Sequence, residues 1–131
     1  MPATQIDIRM QYSAEQEQQL MNAVFDALQY SFKLPRHDRN IRLQVHSPAH
    51  FQVFDHLTQP ERFTHITIDC FSGRTLETKR KLYRQLVKNL TDFGIPEDHI
   101  LITLRESSLE NWGIRGGQAA CDADLGFKVD V

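Results

Sequence analysis

The sequence has few cysteines, little net charge and no long apolar stretch, and each absence excludes a class of protein. Its two cysteines, Cys70 and Cys121, lack the number and spacing of a disulfide framework or a zinc site. Fifteen basic and 17 acidic residues give a formal charge of −2, so no excess of positive charge favours nucleic acid or an anionic membrane. No apolar run approaches the roughly 18 residues of a membrane span. We therefore expect neither a nucleic-acid nor a membrane partner.

The motifs of metal binding, cofactor binding and export are also missing. The six histidines are scattered without metal-ligand spacing. The pair Gly116 and Gly117 has no phosphate-loop or dinucleotide-binding spacing around it, and neither cysteine has the signature of a nucleophile. The first residues lack the basic and apolar regions of a signal peptide. We expect a cytoplasmic protein that binds no cofactor and no metal.

The hydrophobic pattern predicts two β-α-β units. Weak alternation over 2–9 indicates a strand. Ser13 followed by Gln16 resembles a capping box, helical spacing then predicts a helix over about 14–32, and Leu34-Pro35 should end it. Alternation from Ile41 to Val45 indicates the next strand. The second unit has a strand from His65 to Phe71, then Thr75 as helix N-cap, a helix that Ile95-Pro96 ends, and a strand with Ile102 and Leu104.

The two units look like copies of each other. A shift of 61 positions superposes several residues of the first unit on similar residues of the second. These pairs are Met21 and Leu82, Phe25 and Leu86, Phe32 and Phe93, Leu34 and Ile95, Pro35 and Pro96, and Leu43 and Leu104. Right-handed crossovers then predict an α+β fold with a four-stranded sheet and both helices on one face. We expect one domain over 1–131, with halves 2–62 and 63–104 and a C-terminal arm 105–131.

The sheet face without helices needs a cover. Phe71, Ile102 and Leu104 supply apolar residues for both faces, so we expect an oligomer to bury the second face. In the arm, Glu106 to Ala123 is expected to be loop, and Leu125, Phe127, Val129 and Val131 alternate as an edge strand. We expect the arm to lie across a neighbouring subunit.

Pro2 follows the initiator methionine, which aminopeptidases remove before a small residue such as proline. The product would be a secondary amine, and an α-amino group titrates near 7.7 to 8.0 before burial or nearby cations lower that value. Such an amine is a base near neutral pH. Proline is also common at chain starts for no chemical reason.

Several segments together resemble the tautomerase superfamily, and most closely its malonate semialdehyde decarboxylase-like branch. The resemblance spans essentially the whole chain. It is carried by Pro2 opening a strand, by the segment Leu34 to Arg39, by Gly73-Arg74-Thr75 with Glu77, Lys79, Leu82 and Tyr83, and by the tail Asn111 to Gly117. Members of this family are built from β-α-β units and form trimers, so the resemblance implies a homotrimer that acts on a small carboxylic acid.

The resemblance also implies roles for three residues. Pro2 would be the catalytic amine, Arg74 the cation that holds a substrate carboxylate, and Asp38 the polar partner that orients substrate or water. Arg74 stands just before a helix N-terminus, which itself favours an anion. The alternatives are a solvated surface arginine for Arg74 and, for Asp38, a turn cap or a partner of Arg36 or Arg39.

One departure from the family weakens the decarboxylase assignment. The decarboxylase has a second arginine close to the one that matches Arg74, and here the preceding residues are Phe71-Ser72-Gly73. Arg115 is a candidate for a replacement charge. Trp112 and Phe127 are candidates to wall the pocket against water, although Trp112 also suits ordinary core or trimer packing.

The sequence is consistent with three functions. In the first, neutral Pro2 is the base of a tautomerase that acts on a 2-oxo (enol) carboxylic acid, and Arg74 stabilises the developing negative charge. In the second, cationic Pro2 is the acid of a decarboxylase, hydratase or dehalogenase of a three-carbon acid. The third is a non-catalytic ferredoxin-like module that binds a small acid or a protein.

Overall fold

A computed structural model describes residues 2–9 and 11–126 of the chain, and its centre is a four-stranded sheet. In chain order the main elements are β1 (Ala3–Arg9), α1 (Ala14–Phe32), β2 (Ile41–His46), β3 (Thr64–Phe71), α2 (Leu76–Phe93) and β4 (Ile100–Ser107). The strand order is β2-β1-β3-β4. Each helix connects two parallel strands, and the two units meet at the antiparallel pair β1–β3. The predicted duplicated β-α-β fold is confirmed.

The helices begin where their capping residues predict. Ser13 and Gln16 form a capping box at the start of α1, and Thr75 accepts a hydrogen bond from the Thr78 backbone N–H at the start of α2. Helix α1 ends at Phe32, two residues before Leu34, because Lys33 adopts a left-handed conformation with φ 54°. Gly94 ends α2 with a positive φ of 122°.

The core lies between the sheet and the two helices. Alternate residues of β1 and β3 point toward the helices, among them Ile6, Ile8, Ile66 and Ile68, and they pack against buried leucines of both helices. The expectation that Ile102 and Leu104 help to supply both sheet faces is wrong. The β3–β4 register places them beside Ile66 and Ile68, on the helix-covered face.

The opposite face of the sheet is mainly polar in its centre. It carries Asp7 with His46, His65 with Thr103, and Asp69 with Arg105, each pair joined by a hydrogen bond between neighbouring strands. Among the described residues, Leu101 on β4 and Phe71 at the end of β3 are apolar side chains of this face. The face opposite the helices therefore has the side chains of a solvated or polar interface rather than a second hydrophobic core.

The internal repeat needs two offsets instead of one. The helix N-caps Ser13 and Thr75 are 62 positions apart, while the helix ends Phe32 and Phe93 are 61 apart, because α2 is one residue shorter. Buried positions follow the longer offset within the helices. Leu20, Val24 and Leu28 match Leu82, Leu86 and Leu90, so the equivalence of Met21 with Leu82 and of Phe25 with Leu86 is corrected by one residue.

The arm has more structure than the loop predicted over Glu106 to Ala123. Strand β4 continues through Glu106, and β5 (Gly113–Ile114) pairs antiparallel with β6 (Gln118–Ala119). Ile114 and Ala120 pack against Phe71 of the same chain, so the described part of the arm covers its own sheet end. Leu125 is not in a strand, and Phe127, Val129 and Val131 lie outside the described residues. No described helix is long and apolar enough to cross a membrane.

Candidate active site

Arg74 is buried at the point where β3 passes into α2. It stands immediately before Thr75, the N-cap of α2, and only 6% of its surface is exposed. The alternative of a solvated surface arginine is therefore wrong. A buried guanidinium needs hydrogen-bond acceptors, because removing its charge and its N–H groups from water is costly. The hydrogen bonds of its nitrogens therefore show which donors still need an acceptor.

Among the described residues, only one nitrogen of the Arg74 guanidinium has a hydrogen-bond acceptor. Nη1 donates to the carbonyl oxygen of Phe71 at 3.4 Å, and the ring of Phe32 lies against the guanidinium, its centroid 3.8 Å from Cζ. Nε and Nη2 are buried and have no hydrogen-bond partner in the part of the chain that the structure describes. Two adjacent donors of one guanidinium are thus left for an acceptor from outside the described chain.

Arg105 shows which acceptor the Nε and Nη2 of an arginine bind in this protein. Its Nε donates to Oδ1 of Asp69 at 2.8 Å, and its Nη2 donates to Oδ2 of the same carboxylate at 2.9 Å. This is the side-on, bidentate arrangement of a guanidinium with a carboxylate. The same pair, Nε and Nη2, is unsatisfied in Arg74, and so the vacant donors have the geometry that fits one carboxylate group.

Pro2 is buried at the start of β1, on the side of the sheet that the helices cover. The β1–β3 register pairs Ala3 with Asp69, and its continuation by one residue brings Pro2 beside Cys70. Cys70 is buried as well, and its thiol and the Arg74 guanidinium lie close enough to alter each other's pKa. The fold therefore brings Pro2, Cys70 and Arg74 to one end of the β1–β3 pair.

Charges around this end oppose the effect of burial on Arg74. Burial lowers the pKa of Arg74, whereas the thiolate form of Cys70 and the charges of Glu106 and Asp38 raise it. Burial raises the pKa of the Cys70 thiol, and the Arg74 cation acts against that shift. Glu106 also receives a hydrogen bond from Lys79 Nζ at 2.6 Å, which raises the pKa of the lysine. The site therefore contains a buried cation, Arg74, whose charge interacts with Glu106 and Asp38.

Asp38 is half-buried in the turn that follows α1. Its backbone N–H donates to the Pro35 carbonyl at 3.1 Å, and its charge reaches Arg74. The side chain of Arg39 is engaged elsewhere, since it donates to Asn22 and stacks over Phe25. Asp38 is thus a neighbour of the Arg74 site and also a residue of a local turn.

Trp112 and Arg115 do not reach Arg74 within the described chain. Trp112 packs edge-on against the ring of Phe71, with centroids 4.9 Å apart, and donates from its indole to Ser107. Arg115 is exposed and donates to the Asp124 carbonyl of its own arm. No hydrogen bond or ion pair joins either residue to Arg74 in the described part. Phe127 lies outside the described residues.

Two residues of the site are missing from the interpretation of the sequence. From the sequence, Phe32 is one apolar position of a helix, and Cys70 is a thiol without the signature of a nucleophile. Alternation along β3 carries a signal for Cys70, since it puts residue 70 on the same sheet face as 64, 66 and 68. Nothing in the pattern of α1 distinguishes Phe32 from other core residues, because its contact with Arg74 depends on tertiary packing.

The chain matches the sequence model of a family described as tautomerase enzyme over residues 38–115. It is also similar to solved structures. For FG41 malonate semialdehyde decarboxylase inhibited by 3-bromopropiolate, the identity is 27% and the TM-score 0.79, over 89% of this chain and 92% of that one. For Pt0534 inactivated by 2-oxo-3-pentynoate, the identity is 26% and the TM-score 0.82, over 92% of this chain and 97% of that one.

Two further likenesses are more limited. Native fused 4-OT has 18% identity with a TM-score of 0.82, over 92% of this chain and 97% of that one, and this likeness shows the fold alone. A phosphoglucosamine mutase of Marinobacter nauticus is 30% identical over 88 residues, which are 64% of this chain and 20% of that protein. The chain thus spans about a fifth of the length of this curated relative.

Proposed function

Since this chain belongs to the tautomerase enzyme family, we propose that it catalyses the keto-enol tautomerisation of a small 2-oxo carboxylic acid. The observation that carries the proposal is the buried guanidinium of Arg74, whose Nε and Nη2 have no acceptor among the described residues. A substrate carboxylate would accept from both nitrogens. Pro2 would supply the proton transfer from the neighbouring strand.

The proposed reaction needs an unblocked nitrogen at Pro2. After removal of Met1, the neutral imino group takes the proton of the enol hydroxyl and returns a proton to the carbon at the other end of the enol. Burial of Pro2 and the nearby Arg74 cation both disfavour the protonated amine. Arg74 holds the carboxylate and stabilises the negative charge that develops on the adjacent oxygen. No cofactor takes part in these steps.

The compounds that inhibit or inactivate two related proteins are consistent with a site that binds one carboxylate. The FG41 decarboxylase is inhibited by 3-bromopropiolate and Pt0534 is inactivated by 2-oxo-3-pentynoate, and both compounds are small carboxylates. A single vacant pair of donors at Arg74 fits the one carboxylate of either compound. We therefore choose a monocarboxylate, phenylenolpyruvate, as the probe.

Replacement of Pro2 or Arg74 tests the proposal. We expect Pro2→Ala and Arg74→Ala each to lower kcat/KM for phenylenolpyruvate ketonisation by about a hundredfold or more, since one removes the cyclic amine and the other the carboxylate partner. Ultraviolet absorbance of the enol follows the reaction. Arg80→Ala is the control, because Arg80 is an exposed arginine of α2 that pairs with Glu77. Unchanged rates in both site variants would refute the proposal.

A decarboxylase is the second candidate, favoured by the likeness to FG41 malonate semialdehyde decarboxylase and by the charge of Asp38 near Arg74. In that reaction Pro2 stays protonated and acts as an acid on a three-carbon acid, as it would in a hydratase or dehalogenase. Titration of the ¹⁵N-labelled Pro2 amine by NMR separates the two candidates. A pKa below neutral supports the base, and one well above neutral supports the acid.

We also expect a cytoplasmic homotrimer. The described residues cover the sheet face opposite the helices only in part, and Leu101 on it is 40% exposed. A fused 4-OT structure is described as a symmetric trimer. Arg115 and Trp112 are the candidates that a neighbouring subunit would bring to the site, since no hydrogen bond or ion pair joins either of them to Arg74 among the described residues of their own chain. If the amine of Pro2 is permanently blocked, the non-catalytic acid-binding module remains.

A further inference from the structure

We propose that Phe32 is the positioning residue of the carboxylate site, because its ring holds the Arg74 guanidinium with Nε and Nη2 turned toward the substrate. This inference rests on the proposed function, since it assigns to the same site the residue that sets its geometry. Phe32 acts through Arg74 and does not itself touch the substrate.

Burial makes the Phe32 contact strong. Phe32 is the last residue of α1 and is 0% exposed, and Arg74 is 6% exposed, so water competes little for the guanidinium. A cation over an aromatic face gains more when it is desolvated. The Arg74 Cζ lies 3.8 Å from the ring centroid, a shorter separation than in the other cation–aromatic contacts of the described chain.

Two contacts together define the orientation of the guanidinium. The Phe32 ring covers one of its faces, and the Phe71 carbonyl accepts from Nη1. The guanidinium is planar, so these two contacts also fix the direction of its remaining edge, which carries Nε and Nη2. Without the ring, the long arginine side chain gains rotamers, and some of them point this edge away from the carboxylate.

The internal repeat provides a comparison for the contact between Phe32 and Arg74. The offset of 62 that relates the N-caps places Tyr12 at the position of Arg74, and the offset of 61 places Phe93 at the position of Phe32. Tyr12 and Phe93 meet edge-on with centroids 5.3 Å apart. Both helices thus end in a phenylalanine. Phe93 contacts Tyr12, whereas Phe32 contacts Arg74, the residue at the equivalent position, and so makes a cation–aromatic contact.

The test compares Phe32→Leu with Phe93→Leu, which remove a ring at equivalent helix ends. We expect Phe32→Leu to raise the KM for phenylenolpyruvate about tenfold and to change kcat less than about threefold, because the charge of Arg74 remains but its orientation is lost. Phe32→Tyr keeps the ring and is expected to restore most of the KM. Phe93→Leu should leave the KM at its wild-type value. Equal KM changes in the two leucine variants would overturn the inference.

An NMR measurement tests the contact without any reaction. A ring face this close shields the Nε–H proton of Arg74, so its signal, assigned by its loss in Arg74→Lys, is expected upfield of the other arginine signals. The signal should move downfield in Phe32→Leu, or in Phe32→Met if the leucine variant does not fold. An unshielded Arg74 signal in the wild type contradicts the inference, whereas a shielded signal in a protein without ketonisation activity contradicts only the proposed function.

Discussion

The proposed chemistry depends on Arg74, a residue whose hydrogen-bond donors the described chain satisfies only in part. Arg74 is buried, its Nη1 and one face are held by Phe71 and Phe32, and its remaining edge has no acceptor among residues 2–9 and 11–126. Keeping such donors buried without a partner costs stability. A substrate carboxylate that enters the site recovers this cost as binding free energy.

The thiol beside this site gives a prediction at the residue scale. Burial raises the pKa of Cys70 in the folded protein, so in alkali the unfolded chain loses the thiol proton before the native chain does. Stability that is present below the unfolded thiol pKa is therefore lost as the pH rises through that value toward the folded pKa. Between about pH 7.5 and pH 9.5 we expect the free energy of unfolding in urea to fall by up to about 1.4 kcal/mol per pH unit from this group.

The contribution of Cys70 is isolated by subtraction. The fall should be smaller in Cys70→Ala and should persist in Cys121→Ala, since Cys121 is exposed. Parallel pH profiles for the wild type and Cys70→Ala would show that the buried thiol has no raised pKa.

At the scale of elements, the helices and strands follow from local signals, and the arm does not. Ser13 and Thr75 start the helices as their capping preferences predict, and alternation locates the four strands to within a few residues. Alternation does not say which face the helices cover, so Ile102 and Leu104 are misplaced. The part of the arm that the structure describes consists of single helical turns and a hairpin of two two-residue strands, which are too short to show a periodic pattern.

The two N-caps give a prediction that separates stability from binding. Ser13→Ala and Thr75→Ala each remove a side-chain acceptor at a helix start and are expected to lower the free energy of unfolding by about 1 kcal/mol. Only Thr75→Ala should also raise the KM, by about threefold to tenfold, because Thr75 adjoins Arg74 and its loss frees the start of α2. Denaturant titration and steady-state kinetics measure the two effects. The same KM in both variants would contradict this coupling.

At the scale of the whole molecule, the duplication produces two similar halves, and the sequence makes only one of them a candidate site. Pro2 opens the first half and Arg74 opens the helix of the second, so the site depends on the antiparallel β1–β3 pair that joins the halves. The positions of Pro2 and Arg74 in the chain are available from the sequence. Their placement at one end of the β1–β3 pair, and the contact of Phe32 with Arg74, arise from strand order and helix packing, which local patterns do not determine.

The proposed reaction requires a free imino nitrogen at Pro2, and the intact mass of the protein purified from its own cells without a tag shows whether that nitrogen is free. We expect the mass of the chain without Met1 and with no group added to Pro2. A mass that includes Met1, or an acylated Pro2, would contradict it, because an amide nitrogen has no basic lone pair with which to move the proton.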